Sequence, residues 1–206
     1  MNDDLTALAA AIAAGGVALV PTDTVYGLAA ALDDPSAVAA LYALKGRPRS
    51  QACQVLIYSP DRLADALAEL PEAVAAAAAA VLPGTTTCLV PDPSGRYAAA
   101  SGGHPGTVGL RAPRMGVEYH SVDTPLVATS ANRPGGPDPR AVADVPDDLL
   151  AGVACVVDRG PLGGVASAVL DLRPLADGRC ARLVRPGPDP TALARALARV
   201  GCNLDR

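Results

Sequence analysis

Val17-Ala18-Leu19-Val20-Pro21-Thr22-Asp23-Thr24-Val25-Tyr26-Gly27-Leu28 joins a wholly apolar run to a polar loop. Four consecutive apolar residues closed by proline read as a short strand buried on both faces. Upstream, Leu5, Leu8, Ala9 and Ile12 recur at helical spacing, and Gly15-Gly16 ends that helix. Downstream, Asp33 or Asp34 caps a second helix with Pro35 in its first turn, running to about Leu44. A strand follows over 54–58; Ser59-Pro60-Asp61 opens a third helix and Pro71-Glu72 a fourth.

After Pro83-Gly84 the texture changes. Short strand patterns recur at 86–90, 107–111, 126–129, 154–157, 167–171 and 182–185, separated by Gly/Pro/Asp loops, and a helix over 190–200 closes the chain. Helices dominate the first half and strands the second, which predicts an α+β or mixed-sheet arrangement and not a regular βαβ alternation. At 206 residues the chain makes one domain, or one with a short appendage. No apolar run reaches membrane-spanning length, and Asn2, Asp3 and Asp4 carry the wrong charge for a signal peptide, so a cytoplasmic protein is expected. The five cysteines are scattered with no Cys-x-x-Cys pair, which argues against a disulfide framework or structural zinc. A net charge of −4 argues against bulk attraction to nucleic acid, leaving a local basic cleft as the alternative.

Of the seventeen Lys and Arg residues only one is lysine, Lys45, in Lys45-Gly46-Arg47-Pro48. Where arginine serves every other purpose, a retained lysine points to a need for a compact ammonium. The chain lacks a Walker-type phosphate loop, a dinucleotide fingerprint and a Gly-x-Ser-x-Gly elbow. His104 and His120 read as surface residues, and no metal-ligating set is evident. What remains is a series of polar loops at strand ends: 21–28, Arg111-Ala112-Pro113, and Ser130-Ala131-Asn132 with Arg133-Pro134-Gly135-Gly136. Hydroxyls, an amide and cations at such ends suit a polyanionic ligand such as a nucleotide, with Lys45 and Arg47 on a triphosphate.

In this order the segments Pro-Thr-Asp-Thr-Val-Tyr-Gly-Leu (21–28), Lys-Gly-Arg-Pro (45–48), Thr-Val-Gly-Leu-Arg-Ala-Pro (107–113), Thr-Ser-Ala-Asn (129–132), Ser-Ala-Val-Leu-Asp (167–171) and Leu-Val-Arg-Pro-Gly (183–187) resemble the YrdC-like family of threonylcarbamoyl-AMP synthases. The resemblance implies an α/β fold of α+β type. It has a twisted, mostly antiparallel open sheet, flanking helices and a central basic cleft, spanning 1–187 with a helical tail over 188–206 packed on the same domain. It further implies a reaction joining L-threonine, bicarbonate and ATP, with Mg2+ accompanying the nucleotide, and releasing pyrophosphate. A downstream transferase then modifies adenosine 37 of tRNA, so tRNA contact is at most indirect and no membrane is involved. By the same match Lys45 and Arg47 are the catalytic pair. Thr24, Arg111 and Ser167 face threonine, with Arg111 on its carboxylate. Lys45, Arg47, Gln51, Thr107, Ser130, Asn132 and Arg185 hold ATP.

Three segments depart from the family pattern. Gln51-Ala52-Cys53 stands where Lys or Asn is followed by Pro-Leu; Leu56 stands where longer members place a histidine; and Pro83-Gly84-Thr85-Thr86-Thr87 replaces Pro-Gly-Pro-x-Thr. Two alternatives follow: a divergent paralogue that forms or transfers another carbamoyl-adenylate, and a non-catalytic RNA-binding module.

Overall fold

The computed structural model describes residues 3–205. Its elements in chain order are α1 (Asp3–Ala13), β1 (Ala18–Val20), β2 (Gly27–Ala31), α2 (Pro35–Lys45), β3 (Gln54–Leu56), α3 (Pro60–Ala68), α4 (Glu72–Val81), β4 (Thr86–Pro91), β5 (Thr107–Arg111), β6 (Leu126–Ser130), α5 (Asp147–Leu150), β7 (Cys155–Val156), β8 (Ala168–Asp171), β9 (Arg182–Arg185) and α6 (Pro190–Arg199). The nine strands form one open sheet in the order β7-β1-β2-β6-β3-β5-β4-β8-β9. Three pairings are parallel, β1 with β7, β3 with β5 and β4 with β8; the other five are antiparallel.

Local chemistry explains most boundaries. Asp34 caps α2 by accepting from the N–H groups of Ser36 (2.8 Å) and Ala37 (3.0 Å), with Pro35 filling the first helical position. At the other end Gly46 adopts a left-handed conformation (φ 65°), which L side chains resist, and the N–H of Arg47 returns to the Tyr42 carbonyl (2.9 Å). Lys45 is therefore the last residue of a helix, not a loop residue as the sequence suggested. Another difference is β2: Gly27 and Leu28 read from sequence as the end of a loop and 29–31 as no element, yet all five residues are buried between β1 and β6. Ala9, assigned to the apolar stripe of α1, is exposed, while Leu5, Leu8 and Ile12 are buried.

The sheet is covered unevenly, and this makes the site. On one face α2, α3, α4 and α6 pack over residues such as Leu19, Leu28, Val55, Leu110, Val127 and Leu170. Leu193 and Leu197 of α6 insert beside α4 into that layer. On the other face α1 and the turn Val117–Ser121 cover Ala18, Val20, Ala29, Ala31 and Leu126 at the β7-β1-β2 end. Strand residues alternate between faces with period two, so the rest of that second face is open over the central strands.

Candidate active-site cleft

Register names the floor of the opening. Gly27 lies opposite Ser130, Ala128 opposite Gln54, Gln54 opposite Gly109, Leu56 opposite Arg111, Arg111 opposite Thr87, and Thr87 opposite Val169. Directly opposed residues share a face, and all of these line one cleft of about 530 Å3. That volume suits a ligand of nucleotide size.

The cations divide into two kinds. Arg111 is 1 % exposed; its guanidinium donates to Asp23 and to the Gly84 carbonyl, and Asp23 also accepts the Arg114 N–H (2.9 Å). Burial pulls the Arg111 pKa down, and Asp23 opposes that shift. Arg173 lies against Asp171 (2.8 and 2.7 Å) and reaches Thr107 Oγ1 (3.3 Å). The Arg173 side chain in turn holds the Asp171 carboxyl below its usual range. Arg47 and Arg185 are different. Their donors meet only carbonyls, Gln51 and Ala52 for Arg47, Ser167 for Arg185 (3.0 Å). Among the described residues neither has a carboxylate partner, so the uncompensated positive charge of the cleft sits on these two.

Hydroxyls cluster beside Arg111. Thr87 Oγ1 lies 2.9 Å from Ser167 Oγ and donates to Gln54 Oε1 (2.9 Å). Thr24 Oγ1 lies 2.9 Å from Thr22 Oγ1, which in turn donates to the Val25 carbonyl (2.8 Å) and accepts the N–H groups of Thr24 and Val25. This hydroxyl turn shapes the 22–25 loop and aims Asp23 at Arg111.

Of the residues named from sequence, Thr24, Arg47, Thr107, Arg111, Ser130, Ser167 and Arg185 line the cleft. Lys45, Gln51 and Asn132 do not. Gln51 is exposed and offers its backbone carbonyl to Tyr42 and Arg47. Asn132 is buried, its Oδ1 accepting from Lys45 and Ser130. Lys45 is 3 % exposed, and burial brings its pKa down to about 8. His104, read as a surface residue, is exposed but on the cleft wall. Sequence reasoning missed Arg173 and gave Asp23 no role. The Asp-x-Arg spacing of 171 and 173 was the available signal for the first. Among the described residues no group of three His, Cys, Asp or Glu stands close enough to hold a metal.

A family model for Sua5, YciO and YrdC proteins, described as telomere recombination, matches residues 10–187. The chain belongs to the Sua5/YciO/YrdC family. The threonylcarbamoyl-AMP synthase of Chromohalobacter salexigens is 34 % identical over 83 % of this chain and 94 % of its own length. That of Bacillus subtilis is 34 % identical over 82 % of this chain but only 50 % of its own. A crystal structure of Pyrococcus abyssi Sua5 complexed with L-threonine aligns at a TM-score of 0.78 and 30 % identity, covering 96 % of this chain and 58 % of that one. The chain thus spans about half to three fifths of the two longer relatives and nearly all of the shorter one. Fold and family agree with the expected mostly antiparallel open sheet with flanking helices. No helix among the described residues is long and apolar enough to cross a membrane.

Proposed function

We propose that this protein is a threonylcarbamoyl-AMP synthase, making threonylcarbamoyl-adenylate and pyrophosphate from L-threonine, bicarbonate and ATP. One observation carries the reading: a single cleft is lined by two kinds of arginine, Arg47 and Arg185 without a carboxylate partner among the described residues and Arg111 buried amid hydroxyls. The first kind suits the phosphates, with Thr107 and Ser130 on the same cleft lining. The second suits an α-amino acid, its carboxylate on the unused edge of Arg111 and its side chain against Leu56, with Thr24 and Ser167 in hydrogen-bonding reach. The named activities of the Chromohalobacter and Bacillus relatives, and the L-threonine in the Pyrococcus Sua5 crystal structure, support the same assignment.

The chemistry follows from charge and placement. The threonine amine adds to bicarbonate and loses water, giving a carbamate. A carbamate oxygen then forms a bond to the α-phosphorus as the bond from that phosphorus to the β-bridging oxygen breaks, and pyrophosphate leaves. Two anions must approach each other, so fixed cations and in-line positioning are the help this step needs. Arg47 and Arg185 spread the charge that moves onto the leaving pyrophosphate. Mg2+ would accompany ATP as its counter-ion and would be held by phosphate oxygens and water, since among the described residues no carboxylate group converges to cage it. The product's expected consumer is a transferase acting on tRNA adenosine 37. The test is pyrophosphate release from purified protein, with each co-substrate omitted in turn. Turnover should require ATP, threonine and bicarbonate together; release that persists without threonine or without bicarbonate overturns the proposal.

A further inference from the structure

Lys45 carries the only ammonium side chain in the sequence, and each of its protons already has an acceptor. Its Nζ donates to the Ser130 carbonyl (2.6 Å), to Asn132 Oδ1 (2.7 Å) and to the Asn132 carbonyl. An ammonium has three donors and no acceptor, so none is left over for a phosphate. The side chain is buried and does not line the cleft.

Its neighbours show what this arrangement holds. Ser130, which does line the cleft, donates its hydroxyl to the same Asn132 Oδ1 (2.7 Å). The Asn132 amide donates onward to the Gly136 carbonyl (2.7 Å), closing the 130–136 loop on itself. Lys45 ends α2, and two residues later Arg47 enters the cleft. A single ammonium thus ties the helix end that presents Arg47 to the loop that presents Ser130. Three acceptors converging on one point match an ammonium and not a planar guanidinium, whose five donors spread over a fork. The same geometry explains why lysine stands here in an arginine-dominated chain.

We propose that Lys45 is a positioning residue: it clamps the 130–136 loop to the end of α2, setting Ser130 and Arg47 for the nucleotide without touching the nucleotide itself. The proposal rests on the nucleotide half of the function above. Lys45→Met keeps much of the buried stem while removing all three donors. In the nucleotide-free protein, amide hydrogen exchange across 130–136 should rise by about 10-fold or more while β5 is unchanged. Affinities for ATP and AMP should fall by the same factor, and Lys45→Arg should restore neither. Should Lys45→Met fold poorly, Asn132→Ala removes the shared Oδ1 from the opposite side and should produce the same loosening and the same paired loss. Unchanged exchange with a loss confined to ATP, or wild-type loop protection and turnover in Lys45→Arg, would overturn the clamp. Exchange and nucleotide binding are read without threonine or bicarbonate, so a wild-type protein lacking the full reaction sinks the reaction assignment and not the clamp.

Discussion

Removing the charge of Asp23 should destabilise this protein more than its surface position suggests. The Asp23 side chain is 12 % exposed, but the arginine it partners is 1 % exposed and, among the described residues, has one other acceptor, the Gly84 carbonyl. Asp23→Asn keeps the shape and leaves a buried guanidinium without its counter-charge; it also turns an amide toward the Arg114 N–H that Asp23 Oδ2 now accepts at 2.9 Å. Breaking one side of a buried pair costs about 3–5 kcal/mol, and partial exposure of Asp23 argues for the lower end, about 3 kcal/mol. For a chain of this size that is a fall in Tm of about 6–12 °C. Urea unfolding followed by far-UV circular dichroism should show a lower midpoint with an unchanged slope. The decisive variant is Asp23→Asn with Arg111→Met. With both charges gone nothing buried is left unpaired, so the double variant should recover at least half of the loss. A double variant whose loss equals the sum of the single ones, or an Asp23→Asn within about 0.5 kcal/mol of wild type, would refute the reasoning.

The Lys45 proton gives a pH signature with two opposed signs. Burial brings its pKa from 10.5 to about 8, so the unfolded chain holds the proton more tightly; stability from this group rises as pH climbs from about 8 toward 10.5, while the clamp loses a donor and kcat falls through pH 8. Parallel rate and urea profiles between pH 7 and 9.5 check this, and a rate that falls only in step with stability would count against it. Arg185→Ala should raise the apparent KM for ATP by about 10-fold or more, the worth of a charge-assisted hydrogen bond, whereas Arg173→Ala should change it by less than about 3-fold because Asp171 already neutralises that cation. Arg173→Ala should show itself in acid instead. Asp171 is held below its usual pKa mainly by Arg173, which stabilises the fold above that range and is lost as pH falls, so the variant should begin acid unfolding at a higher pH.

What the sequence revealed depended on how strongly local residues decide structure. Asp33 or Asp34 with Pro35 at one end and Gly46 at the other placed α2 to within a residue, because a cap, a ring-restricted φ and a left-handed glycine act within one turn. β2 was hidden because Gly27-Leu28-Ala29-Ala30-Ala31 has neither alternation nor β-branched residues; only burial between two neighbours makes it a strand. The site was legible as a set of loop ends and opaque in its connections. Sequence brought Arg111 and Ser167 forward but not that Asp23, 88 positions away, would occupy the same guanidinium. It likewise marked Lys45 as unusual and could not reveal that two of its three acceptors are backbone carbonyls, which every residue type carries.

The pairing of early strands with late ones has a consequence for synthesis. β1 lies beside β7, and β4 beside β8, so residues near 18 and 86 wait for partners near 155 and 168. The wall of the cleft is completed only by Arg185. A nascent chain halted before β8 has left the ribosome holds α1 to α4 and most of the floor but no finished pocket, and its unpaired β4 edge faces solvent. Nucleotide added to stalled nascent chains should therefore protect them from protease abruptly, once β9 has emerged, and not gradually with length.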